Sequence, residues 1–303
     1  MRTDITFPGN GLALAGTLFT PDVPGPDPLP AIVISHPGSG VKEQSPTNYG
    51  RRLARAGFAA LAFDAACQGE SEGEPRGTED PFQRAEDIRS AVSHLSTRPE
   101  VDPERIGALG ICASGGYVPY TAQTDRRIKA VATVSASDFG RVIRDGLHRD
   151  QDPAVLDAVL ARAGQLRTAE ARGEEPLREP WVPDEWRDSE NRQNRETYDY
   201  YRTERGAHPR AGGVTRLPRD LDRLALYDSF ALIHLLAPRP LLMIAGSEAD
   251  TAHMSRDAVA AATGPAELWI IEGASHVDLY DRDEYLTPIA ARLADFFGEH
   301  LAA

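Results

Sequence analysis

Short apolar runs recur along the chain with segments of helical spacing between them, the pattern of a largely parallel sheet wrapped by helices. The runs predict strands at residues 4–7 and 12–19, joined by a Pro-Gly-Asn-Gly turn, then at 31–36 and 59–64. Four more are expected at 106–111, 130–135, 241–245 and 268–272. Helical spacing marks Tyr49, Leu53 and Ala56, closed by Gly57, and again Phe82, Ala85, Ile88, Val92 and Leu95. A last helix near 284–301 puts Leu286, Ile289, Leu293 and Phe297 on one face. Between Gly140 and Leu221 the sheet pattern stops and a polar, arginine- and glutamate-rich stretch of helical character takes over. The expected organisation is therefore a core of residues 1–140 and 221–303 with a helical lid insertion at 141–220. Within it, residues 169–179 lack apolar periodicity and read as a mobile loop.

Composition narrows the function classes. A chain of 303 residues with 41% hydrophobic content buries a sizeable core. A formal charge of -13 repels phosphate backbones and anionic lipid surfaces, so neither nucleic acid nor membrane is the expected partner. The 141–220 stretch carries 15 arginines against 16 carboxylates and offers no cationic platform either. The amino-terminal residues contain no apolar signal core and no run approaches a membrane span, so a cytoplasmic protein is expected. Cys67 and Cys112 are too few for a disulfide framework and are expected as thiols.

The stretch from Arg105 to Gly116, Arg-Ile-Gly-Ala-Leu-Gly-Ile-Cys-Ala-Ser-Gly-Gly, reads as a buried strand turning straight into a helix. Such an elbow needs small residues two before and two after the reactive side chain, and Gly110 and Ser114 flank Cys112 in that way. The following helix aims its first N–H groups at the reacting centre. Cys112 is thus the candidate nucleophile, against the alternative of a small core cysteine. Ser114 competes, since Cys112 and Gly116 would serve as its small neighbours, but in this register Ser114 already lies in the helix. Pro119 falls inside that helix, where it removes a hydrogen bond.

Eight strands in this order, an elbow after the fifth and a helical insert after the sixth resemble the α/β-hydrolase superfamily, over nearly the whole chain. The cysteine elbow and the run His-Pro-Gly-Ser-Gly-Val-Lys-Glu-Gln, starting at His36, resemble its dienelactone-hydrolase-like branch. The resemblance implies an α/β-hydrolase fold and cleavage of an ester, lactone or thioester through an acyl-cysteine. It implies a base at His276, after the eighth strand, and an acid at Asp250, after the seventh, with Glu248 as the alternative acid. The oxyanion hole would combine the N–H of Ala113 with that of Gly38 or Ser39. His36 is expected to be structural, and Lys42, Glu43 and Gln44 either brace this loop or reach substrate. Cys67 lines the pocket or fills an ordinary loop position. In the insertion, Trp181, Trp186 and Tyr201, with Tyr198 and Tyr200, are candidates for an acyl pocket or for lid-to-core packing. The helix N-terminus and His276 should hold the Cys112 thiol below its ordinary pKa of about 8.5.

This chemistry needs neither cofactor nor metal, and no Walker-type loop, His-Glu-x-x-His or paired Cys-x-x-Cys pattern is present. Two rivals stand beside a hydrolase acting on a small-molecule acyl substrate. One is an acyltransferase or cyclase using the same acyl-cysteine; the other is a non-catalytic small-molecule binding protein with a hydrolase shell.

Overall fold

The computed structural model describes residues 1–302 apart from 24, 26 and 186–191. In chain order the strands are β1 (Arg2–Gly9), β2 (Leu12–Phe19), β3 (Leu29–Ser35), β4 (Ala59–Phe63), β5 (Val101–Ile111), β6 (Ile128–Val134), β7 (Glu179–Pro180), β8 (Thr215–Arg216), β9 (Leu241–Gly246) and β10 (Ala266–Ile271). Eight of them form one sheet in the order β1-β2-β4-β3-β5-β6-β9-β10, and β7 pairs with β8. The β1–β2 hairpin and the β2–β4 contact are antiparallel; every other pairing in the large sheet is parallel. The expected α/β-hydrolase architecture, an eight-stranded mostly parallel sheet flanked by helices, is the observed one.

Helices α1 (Ser45–Arg55), α2 (Pro81–Ser96) and α3 (Ser114–Thr124) link the central strands. They are followed by α4 (Phe139–Asp145), α5 (Pro153–Ala171), α6 (Arg192–Tyr201) and α7 (Leu221–Leu226), then α8 (Ala252–Ala261), α9 (Asp278–Asp281) and α10 (Asp283–His300). Several start where a cap and a proline coincide. Asp80 accepts from the N–H groups of Phe82 and Gln83 ahead of Pro81, and Asp152 accepts from that of Ala154 ahead of Pro153. Helix α3 runs through Pro119 to Thr124 without a break in its assignment.

Two apolar layers sandwich the sheet, because successive residues of a strand point to opposite faces. Ala31 and Val33 join one layer with Leu61, Ile88 and Val131; Ile32 and Ile34 join the other with Ala60, Leu53 and Phe297. Burial on both faces is why these strands read as continuous apolar runs. No helix among the described residues is long and apolar enough to cross a membrane.

Two expectations shift. Residues 169–171, read as loop, complete α5, whose alanine-rich sequence favours helix while presenting no apolar stripe, since Ala163 alone is fully buried. The 140/141 boundary of the expected insertion falls inside α4.

Strand β3 is where the winding reverses, with β4 on one side and β5 on the other. In an open parallel sheet the crevice at the carboxyl ends of two such strands is the natural ligand position. The turns after β3 and β5 carry Gly38 and Cys112.

Candidate active site

Cys112 adopts φ +56°, a left-handed conformation rare for a residue with a side chain, which costs about 1–3 kcal/mol. Three backbone bonds hold it there: its N–H donates to Val134 O (3.0 Å), and its carbonyl accepts from Gly115 N (2.8 Å) and Ser137 N (2.9 Å). The turn exists because β5 and α3 cross closely. A Cβ on Gly110 would lie 1.9 Å from the Ser114 carbonyl oxygen, and one on Gly115 would lie 2.6 Å from the Ala136 Cα. The side chain is thereby presented at the strand end, on a residue that is half-buried as a whole.

Two backbone N–H groups, those of Ala113 and Gly38, act on the Cys112 sulfur. Gly38 must lack a side chain, since its Cβ would sit 2.7 Å from the Phe139 ring. Ser39 is oriented otherwise. Its N–H donates to the Glu79 carboxylate (3.3 Å) and its hydroxyl to Thr215 O (3.0 Å), so of the two expected donors the geometry leaves Gly38. Glu79 is buried and also accepts from Tyr117 Oη (3.0 Å), with Arg84 at 3.4 Å, which fixes the β3 loop from behind.

Burial is the largest influence on the Cys112 thiol and pushes its pKa up, with the Tyr280 hydroxyl and the Ala113 and Gly38 N–H groups offsetting part of the rise. The expected lowering is therefore corrected: desolvation of the thiolate outweighs the helix N-terminus. His276, 2% exposed, is held down to about 4 by burial alone. At neutral pH the pair rests as thiol and neutral imidazole.

The surroundings of His276 differ most from expectation. Its Nδ1 is bonded to Thr251 Oγ1 at 2.7 Å and its Nε2 to Tyr280 Oη at 2.9 Å. The ring nitrogen expected to face Asp250 is thus held by the next residue, and no carboxylate among the described residues hydrogen-bonds the imidazole. Asp250 instead interacts with Arg192 and Glu196 of α6, and the alternative Glu248 pairs with Arg192 at 2.8 Å. The reason is local. The β9–β10 loops are tied together by Ser247 N to Ile271 O (2.9 Å) and Glu248 N to Ala274 O (3.0 Å), and Thr251, 1% exposed, is the side chain turned inward. Ser135 Oγ donates to His276 O at 2.7 Å and fixes the histidine backbone. Thr251 and Tyr280 were missed from sequence. The available signals were adjacency to Asp250 and the four-residue offset from His276 into short helix α9.

The remaining candidates separate cleanly. Ser114 is fully buried; its hydroxyl donates to His36 O (2.5 Å), bonds Ser35 Oγ (2.8 Å) and accepts from Arg84 Nη2 (2.7 Å). His36 braces the loop, with Nδ1 on Pro37 O (2.6 Å) and Nε2 accepting from Ala65 N (3.0 Å). Lys42 is buried and bonded to Glu43 (2.9 Å), Asp64 (2.8 Å) and Glu70 (2.6 Å), and Gln44 holds Val41 N and Gly206 O. Those three carboxylates bring oxygens within 4.8 Å of one another, and the Lys42 ammonium bridges them as the cation of the cluster. Cys67 lies in the loop after β4 at φ +65°, packed against Gly73.

From the segment between β6 and β9, Tyr201 reaches the centre: it interacts with Cys112 and the Tyr280 hydroxyl and is 7% exposed. Tyr200 packs edge-on against Tyr201 (4.8 Å between centroids) and Tyr280 (5.2 Å). Trp181 stacks on Phe139 at 4.9 Å, one ring removed from Gly38, with the Arg216 guanidinium over the Trp181 ring at 5.0 Å. Tyr198 is half-buried beside the same apolar layer. Trp186 lies outside the described residues.

Sheet order, elbow and histidine loop together define an α/β-hydrolase. The sequence profile of the Dienelactone hydrolase family matches residues 14–137. The uncharacterized protein YcjY of Escherichia coli is 39% identical over 272 residues, 89% of this chain and 89% of its own. The crystal structure of hypothetical protein PA2218 from Pseudomonas aeruginosa has a TM-score of 0.94 at 38% identity, covering 99% of this chain and 94% of that one. Thiohydrolase aneE of Aspergillus aculeatus is 30% identical over 174 residues, 57% of this chain and 52% of its own. The chain belongs to the same family as YcjY and PA2218, within the α/β-hydrolase superfamily.

Proposed function

We propose that the protein is an acyl-transferring hydrolase that opens a small-molecule thioester or ester through an acyl-cysteine on Cys112. The observation that carries this reading is a cysteine held at φ +56° on a strand-to-helix turn, with the N–H groups of Ala113 and Gly38 directed at its sulfur. A core cysteine has no need of that strain or of those donors. The sulfur attacks the carbonyl carbon, the two N–H groups hold the resulting oxyanion, and His276 takes the thiol proton and returns it to the leaving group. Thr251 fixes the imidazole tautomer in place of a carboxylate. The likeness to a thiohydrolase favours thioesters, whose exchange with a cysteine replaces one C–S bond by another. Tyr201 and the Phe139–Trp181 stack are the acyl-pocket walls, and the segment between β6 and β9 acts as the lid.

Transfer of the acyl group to an alcohol or amine instead of water shares this intermediate, and the burial of His276 and Tyr280, 2% and 1% exposed, favours it where an acceptor excludes water. The test is turnover of aryl thioesters, aryl esters and lactones by the wild type and Cys112→Ala, with products resolved in the presence of added alcohols. Cys112→Ala should fold normally and lose at least about 10⁴-fold in kcat/KM. Wild-type turnover by that variant refutes the reading.

A further inference from the structure

The nitrogen through which a histidine would reach a nucleophile is already engaged. His276 Nε2 is 2.9 Å from the Tyr280 hydroxyl, and that hydroxyl is also an interacting neighbour of the Cys112 sulfur. With Nδ1 facing Thr251 Oγ1 at 2.7 Å, the row is satisfied in either tautomer of His276: with Nδ1–H donating to Thr251, the Tyr280 O–H donates to Nε2 and the Tyr280 oxygen faces the thiol, and in the reversed row Nε2–H donates to the Tyr280 oxygen and the Tyr280 O–H to the sulfur; the relay starts from the first. The phenol is fixed from the side by its edge-on contact with Tyr200 at 5.2 Å and from below by its own helix α9.

Building on the acyl-cysteine reading, we propose that Tyr280 is a catalytic residue that relays the proton between Cys112 and His276. In acylation the Cys112 S–H bond breaks toward the Tyr280 oxygen while the Tyr280 O–H bond breaks toward His276 Nε2. The phenol is regenerated, the imidazole becomes imidazolium, and the sulfur electron pair forms the C–S bond. Carbonyl π electrons move to the oxygen held by Ala113 and Gly38. Collapse expels the leaving group, which takes the proton back along the same path. Deacylation repeats the sequence with water or an acceptor alcohol as the proton donor. Because the thiol and the imidazole both rest uncharged, the proton must move during attack, which is where a relay acts.

The test is the acylation burst on an activated thioester, measured in H2O/D2O mixtures for the wild type and Tyr280→Phe. Phenylalanine keeps the ring packed on Tyr200 and removes the hydroxyl alone. The expected result is a wild-type proton inventory curved by two protons in flight, and a Tyr280→Phe burst slowed by about 10²–10³-fold with a linear inventory. A linear wild-type inventory, read without any variant, overturns the relay, as does a Tyr280→Phe burst at the wild-type rate. These outcomes are separable from failure of the underlying reading: an acyl adduct on Cys112 with an undiminished Tyr280→Phe burst removes the relay alone, whereas absence of the adduct from the wild type removes both.

Discussion

The two halves of the candidate site obey different rules. On the β3–β5 side, main-chain geometry does the positioning: a left-handed Cys112, a Gly110 that no larger residue can replace, and a Gly38 pressed against Phe139. On the β9–β10 side, side chains do it. His276 is oriented by the hydroxyls of Thr251 and Tyr280, and the carboxylates of the same loop turn away to Arg192. A backbone constraint leaves a mark at fixed spacing in the sequence; a hydrogen-bond partner one residue along does not. The elbow half is therefore rigid and intolerant of added atoms, while the histidine half should respond in proportion to each hydrogen bond removed.

The sharpest break of that comparison comes from Gly38→Ala. The added Cβ would meet the Phe139 ring at 2.7 Å, and that ring is backed by Trp181, so the loop must shift and carry the Gly38 N–H away from the sulfur. A loss of about 10²–10³-fold in kcat, with KM little changed, is expected from steady-state kinetics. Unaltered kcat would mean that the oxyanion donor lies elsewhere.

A second effect is thermodynamic. The folded imidazole titrates at about 4 against the ordinary 6.5, so between these values the unfolded chain binds a proton that the native protein refuses. The stability contributed by neutral His276 is complete above pH 6.5 and lost as pH falls through 4, amounting to about 3 kcal/mol. Urea unfolding of the wild type and His276→Asn at pH 7 and pH 4 should show the wild type losing more by roughly that amount. Asp87 and Asp220, both raised to about 6 by burial, act in the opposite sense in both proteins. Parallel losses would show that burial does not hold the imidazole neutral.

The smallest effect discriminates the orienting group. Thr251→Ala removes the Nδ1 partner and should lower kcat about tenfold to a hundredfold, the equivalent of one buried hydrogen bond. Asp250→Asn should stay within about threefold, because both ring nitrogens of His276 are held by hydroxyls and not by this carboxylate. The reverse ranking would restore Asp250 as the working acid.

Much of the fold was legible because strands buried on both faces print as apolar runs, and the elbow because steric crowding allows few residues at 110 and 114. Strand β2 was read at both ends, and the strand ends that moved did so by one to five residues, most at β5, where the stretch Asp102–Arg105 interrupts the apolar signal. Helix α5 was only partly legible, because a helix with one fully buried residue has no stripe to read. In the histidine half the sequence pointed to His276 and not to the groups that hold its ring: Thr251 and Asp250 are adjacent, and only the turn of the loop decides which side chain points inward. The depressed thiol pKa expected from the helix N-terminus failed because burial of Cys112 outweighs the N–H groups of Ala113 and Gly38, and burial is a tertiary effect that the local sequence does not carry.

The central claim is covalent chemistry at Cys112, and acid-quenched turnover followed by peptide mass mapping tests it most directly. With an activated thioester in excess, the account predicts one acyl mass on the peptide carrying Cys112 and none on that carrying Cys67, with the label absent from Cys112→Ala. An acyl mass that persists in Cys112→Ala, on Ser114 or on any other residue, would contradict it.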